Sequence, residues 1–118
     1  MSKAEFLRKW LPENGYVFVE ERLVWDKDYL YPIFCVTGGA GQMLTPERQY
    51  GGVMLADDPL YADYLSQQVR RLETAINGLS QTSDSASREK GRFLDEIRQS
   101  LLGERNKRSE AHDAGQRG

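Results

Sequence analysis

Apolar residues recur along this chain in two rhythms, strand-like in the first part and helical in the second. Ser2 precedes Glu5 by three residues, the spacing at which hydroxyl and carboxylate each accept from the other's amide and open a helix. Phe6, Leu7, Trp10 and Leu11 then return at intervals that place them on one apolar stripe. Pro12 and the Asn14-Gly15 pair end this helix, with Gly15 free to take a left-handed cap. Tyr16 to Trp25 and Tyr29 to Thr37 are β-branched and aromatic runs joined by Asp26-Lys27-Asp28, which predicts a β-hairpin. Within them, Tyr16-Val17-Phe18-Val19 and Ile33-Phe34-Cys35-Val36 are apolar at consecutive positions, as in strands covered on both faces. One short helix covers a single face, and a two-stranded ribbon alone is marginal in water. Further covering chain is therefore expected. Pro32 carries no amide hydrogen and is expected at an edge or a bulge.

Residues 38–58 form a connection rich in glycine, read as a flexible turn. Its GGAGQ stretch lacks the GxGxxG spacing and the Lys-Ser/Thr of a phosphate loop. From residue 59 to 102 the helical rhythm takes over. Asp58-Pro59 sets a capping carboxylate before a proline at the first helical position. Tyr61, Leu65, Gln68, Leu72, Ala75 and Leu79 follow as a seam of coiled-coil type, widened by Val69 and Ile76. After the polar stretch Ser80 to Ser85, with Asp84 or Ser85 as the next cap, Ala86, Lys90, Phe93, Ile97 and Leu101 give a matching seam. Two helices joined this closely are expected to fold back antiparallel. The stretch 103–118 contains no large apolar residue and is expected to be disordered.

Charge changes the picture little. The net charge is −2, with eight Lys/Arg against six Asp/Glu in residues 86–118 and an acidic excess before them. No apolar stretch reaches membrane-spanning length. The single cysteine, Cys35, excludes an internal disulfide, fits a reducing cytoplasm and is read as a core thiol. With His112 it is too little for a metal site, and His112 is given no role. No Ser/His/Asp set and no Cys/His pair is present, and Glu20-Glu21 are adjacent strand residues that point to opposite faces. No catalytic, cofactor-binding or metal-binding residue is therefore assigned. The cations Arg70, Arg71, Arg88, Lys90, Arg92 and Arg98 have two readings: a solvated face laced with Glu73, Glu89, Asp95 and Glu96, or a set of phosphate contacts to RNA.

The segment FLRKWLPENGYVFVEERLVWDKDYLYPIFCV resembles the end of the methyltransferase domain in tRNA (adenine-N1) methyltransferases acting on adenine 22. That family carries the pattern LRxWLxxNGxxIxxExLVxExxxxYxIIxV, matched here by Leu7, Arg8, Trp10, Leu11, Asn14, Gly15, Glu21, Leu23, Val24, Tyr31, Ile33 and Val36. The likeness continues through Tyr50 to Leu55 and Asp58-Pro59-Leu60-Tyr61 into the helix, covering about residues 5–102. Gly52 stands where the family usually has proline, and Pro32 where glutamate is common.

The resemblance implies an α+β fragment of a larger fold. Residues 1–37 would be the last helix and β-hairpin of a Rossmann-like methyltransferase sheet, 38–58 a connection, and 59–102 an antiparallel helical (coiled-coil) hairpin docking tRNA. S-adenosylmethionine would be the methyl donor of the parent family, bound by a glycine loop upstream of these residues, so this chain alone would be inactive. Met1 corresponds to an internal methionine of the family, which implies a truncated chain or a separate subunit. Its partners would be tRNA, and either the N-terminal Rossmann-like half or a second copy. The alternative from another class is a stand-alone coiled-coil module for protein interaction.

Overall fold

A computed structural model describes residues 3–117, with side chains described for residues 3–108. Its elements are α1 (Lys3–Glu13), β1 (Tyr16–Asp26), β2 (Tyr29–Gly38), α2 (Pro46–Gly51), α3 (Tyr61–Ser80) and α4 (Ser85–Arg117). This is an α+β arrangement, and it divides into two compact units at Tyr64/Leu65, within α3.

In the first unit, α1 runs one residue past Pro12, and Gly15 takes φ +83° as the left-handed cap. β1 and β2 pair antiparallel around a turn at Lys27-Asp28, as the hairpin pattern predicts. A bulge at Val19 interrupts the register between Phe18↔Val36 and Glu20↔Cys35. Beyond it the inner face carries Glu21, Leu23, Leu30, Pro32 and Phe34, all buried or half-buried. The opposite face leaves Val24, Tyr31 and Ile33 exposed, Ile33 by 56%. Cys35 lies on that outer face and is exposed, so it is not a core thiol. Strand alternation puts it opposite to Phe34, which faces α1's Arg8.

The two sheet edges differ. The Leu23 amide donates to Asp58 Oδ2 (3.0 Å) rather than to β2. Leu23 and Pro32 thus form a pair whose backbone groups point away from each other. Pro32 therefore turns its missing donor to the outer edge of β2, the position its chemistry requires. Phe34 and Val36 share its parity and present their amides along that same edge.

The connection is not a flexible turn. Thr45 caps α2 through the Arg48 amide, α2 lies against α1, and the Gly39 amide bonds to the Gly15 carbonyl. A Cβ on Gly41 would collide with the Tyr16 carbonyl oxygen and lie 2.9 Å from Pro12 Cα, so the glycine permits a close backbone approach.

In the second unit, Leu65, Val69, Leu72, Leu94, Ile97 and Leu101 are buried. The second-helix stripe therefore runs through Leu94 rather than Phe93, which is 45% exposed, and Ala86 and Lys90 are exposed as well. Asp84 caps α4 by accepting the Ser87 amide at 3.1 Å, and hydrogen bonding from Ser87 holds its carboxyl below the ordinary range. α4 continues to Arg117, through the stretch whose composition predicts disorder. Helix propensity explains the difference: Glu104, Arg105, Lys107 and Arg108 are good helix formers, and Arg105 Nη1 reaches Ser66 Oγ at 3.3 Å. Among the described residues, no helix is long and apolar enough to cross a membrane.

Candidate functional site

The most heavily built polar feature lies inside the first unit. Apolar spacing predicts that α1 buries Phe6, Leu7, Trp10 and Leu11. The helix instead fully buries Glu5, Arg8 and Pro12, keeps Leu7 and Leu11 half-buried, and leaves Phe6 52% and Trp10 40% exposed. The reason is the partner set of Arg8. Its Nε and Nη2 both donate to Glu21 Oε2 (3.0 and 2.7 Å), and Nη1 donates to the Gln49 carbonyl (3.1 Å). Glu21 Oε1 accepts the amides of Val53 (2.7 Å) and Met54 (3.0 Å). The guanidinium also packs on the rings of Phe34 and Tyr64, 5.4 Å from each centroid.

Both charged side chains are fully inaccessible to solvent. Such burial costs several kcal/mol per ion unless the remaining donors and acceptors are satisfied, and here backbone groups of Gln49, Val53 and Met54 do so. Burial works against the Arg8 charge, but its partners Tyr64 and Glu21 outweigh it and hold the guanidinium more firmly protonated than usual. Burial pushes the Tyr64 phenol up from its ordinary value, against the opposing pull of Arg8. Arg8 and Glu21 therefore act as a tether, drawing α1, β1, α2, the Val53–Met54 strap and the first turn of α3 around one point. Asp58 repeats the device with Leu23 and Leu60 amides on its two oxygens.

The sequence carries a signal for this tether, which the apolar spacing of α1 masks. Glu21 stands two residues before Leu23 on the inward parity of β1, and Arg8 stands between Glu5 and Pro12 on one side of the helix. A charge in phase with a buried face marks a paired ion.

No group of three His, Cys, Asp or Glu residues capable of holding a metal converges among the described residues. In the glycine-rich stretch, Gly41 is pressed against Pro12 and Tyr16, and a Cβ on Gly39 would lie 3.0 Å from the Val17 side chain.

The six cations divide into different environments. Arg70, Arg88, Lys90 and Arg92 are exposed, whereas Arg71 and Arg98 are half-buried. Arg98 pairs with Asp95 at 2.8 Å, and Arg71 Nη1 donates to Gln68 Oε1 at 2.9 Å. Arg88 and Arg92 lie one turn apart on one side of α4, and Lys90 falls on the other. Arg88 also donates from Nη2 to the Ser83 carbonyl, 2.9 Å away, at the start of the helix.

Comparison with known proteins gives a consistent picture. A family profile described as tRNA (adenine(22)-N(1))-methyltransferase matches residues 1–102. Two crystal structures of one Streptococcus pneumoniae protein, provisionally described as a tRNA (m1A22) methyltransferase, share the fold. The one in complex with S-adenosyl-L-methionine aligns with TM-score 0.62 at 20% identity, covering 86% of this chain and 42% of that one. The other aligns with TM-score 0.63 at 21% identity, covering 86% and 44%. This chain thus spans less than half the length of the solved structures it matches. No curated protein matches it.

Proposed function

This chain belongs to the tRNA (adenine(22)-N(1))-methyltransferase family, and from that premise we propose that it is the sheet-ending and tRNA-docking part of such an enzyme. It acts in the cytoplasm on the N1 position of a tRNA adenine, with the S-adenosylmethionine site supplied by chain outside these residues. The observation that carries this reading is the asymmetry of the sheet. The β1 edge is closed by Asp58 on the Leu23 amide, whereas the outer edge of β2 offers the Phe34 and Val36 amides beside exposed Tyr31 and Ile33. Such an edge is where a larger sheet continues. The family's donor-binding half joins there.

The helices α3 and α4 form an antiparallel hairpin that carries the RNA contacts, a reading supported by the Arg105–Ser66 bond between them. Arg70, Arg88, Lys90 and Arg92 supply phosphate contacts, with Arg71 and Arg98 held in place by Gln68 and Asp95. Phosphate contacts need cations on an accessible surface and carry no sequence information, so identity of the target adenine is read elsewhere.

Two titrations of the chain test this reading. With unmodified tRNA, binding is expected to weaken steeply as salt rises. With S-adenosylmethionine alone, no binding is expected. Donor binding by the isolated chain, or tRNA affinity that ignores salt, would overturn it.

A further inference from the structure

The outward stripe of α1 has a symmetry that the tRNA-docking reading does not use. Lys3, Phe6, Trp10 and Glu13 follow one another at spacings of three and four residues, so they line one narrow side of the helix. All four are exposed. Trp10 is braced from behind by Tyr16, whose ring stacks on it at 6.1 Å and 24° and is itself 38% exposed. The Trp10 carbonyl is bound by Asn14 Nδ2 at 2.8 Å, which fixes the helix end beneath the ring. The stripe is thus a preformed aromatic surface, positive at one end and negative at the other.

We infer that this stripe is a self-association surface, on which α1 of a second copy packs antiparallel about a two-fold axis. The two ends of the stripe are complementary in charge. In an antiparallel pair centred near Arg8, Lys3 meets Glu13 of the second copy and Phe6 meets its Trp10. The same two contacts recur on the other side of the axis, as an isologous interface requires. A parallel pair would instead set like charges together. The polar residues that would normally face solvent on such a helix, Glu5 and Arg8, are consumed by the interior, so rotating α1 to cover the rings would break the buried ion pair.

One helix stripe is a small contact, at the low end of interface sizes, so association is expected to be weak and to need a concentration series reaching the millimolar range. Analytical ultracentrifugation of the intact chain is the test. The wild-type chain is expected to move from monomer to dimer as concentration rises. Phe6→Glu is expected to lower the association constant by about tenfold or more, since buried aromatics dominate small interfaces. Lys3→Glu alone is expected to weaken the dimer, and Lys3→Glu combined with Glu13→Lys to restore it. Circular dichroism of each variant establishes that it is folded. A monomer at every concentration overturns the inference. So does a dimer that ignores Phe6→Glu, or one that the charge exchange fails to restore.

Discussion

Arg8 and Glu21 form an ion pair sealed from solvent, with Arg8 Nη2 2.7 Å from Glu21 Oε2 and each residue also holding backbone groups of the segment around α2. The pair lies where α1 meets β1, and it explains why an amphipathic helix turns its polar side inward.

Removing one partner leaves the other charge buried and alone. Arg8→Met or Glu21→Leu is expected to cost about 3–5 kcal/mol each in urea unfolding. The double substitution is expected to cost clearly less than the two added together. It should still fall short of wild type, because the Val53 and Met54 amides and the Gln49 carbonyl lose their partners at about 1–3 kcal/mol apiece. Strict additivity in the double-mutant cycle would show that the two side chains do not act as a pair.

Glycines at two places should respond in opposite directions. Gly41→Ala drives a methyl into the Tyr16 carbonyl and is expected to lower the melting temperature, at about 1–3 kcal/mol. Gly78→Ala, inside α3 with nothing within 4 Å of the new carbon, is expected to raise stability by about 0.5–1 kcal/mol. Thermal melts of the two variants beside wild type decide this.

The legibility of the fold follows the chemistry of each element. The hairpin, its turn, the Gly15 cap and the Asp84 cap are all readable from the sequence because local backbone preferences fix them. Pro32 at a sheet edge follows from its missing donor. The inversion of α1 is invisible to periodicity, because it depends on Glu21, thirteen residues away, meeting Arg8. The choice of Leu94 over Phe93 is hidden for a related reason. Both fit a helical seam, and tertiary packing chooses between them. Cys35 reads as interior because a continuous apolar run conceals which parity faces out. For the candidate RNA cations, number and helix position are legible, but the engagement of Arg71 and Arg98 by neighbours is not.

Tyr64 should make the fold sensitive to alkali. Burial raises its pKa above 10.0, so the folded chain keeps the phenolic proton to a higher pH than the unfolded chain does. Its contribution is therefore complete below about pH 10 and lost as pH rises through the raised folded value. Ultraviolet titration of wild type beside Tyr64→Phe is expected to differ by one late-ionising phenol. A late alkaline step that Tyr64→Phe leaves unchanged would contradict this placement.

Docking of tRNA through α3 and α4 stands or falls on the salt dependence of tRNA affinity. The measurement is fluorescence anisotropy of labelled, unmodified tRNA with the wild-type chain and with the Arg70→Ala/Arg88→Ala/Arg92→Ala variant, across a salt series. The triple variant is expected to bind more weakly and to flatten the log–log salt slope by about 2–3, since each phosphate left unneutralised removes close to one unit. An unchanged affinity and slope would contradict tRNA docking through these helices.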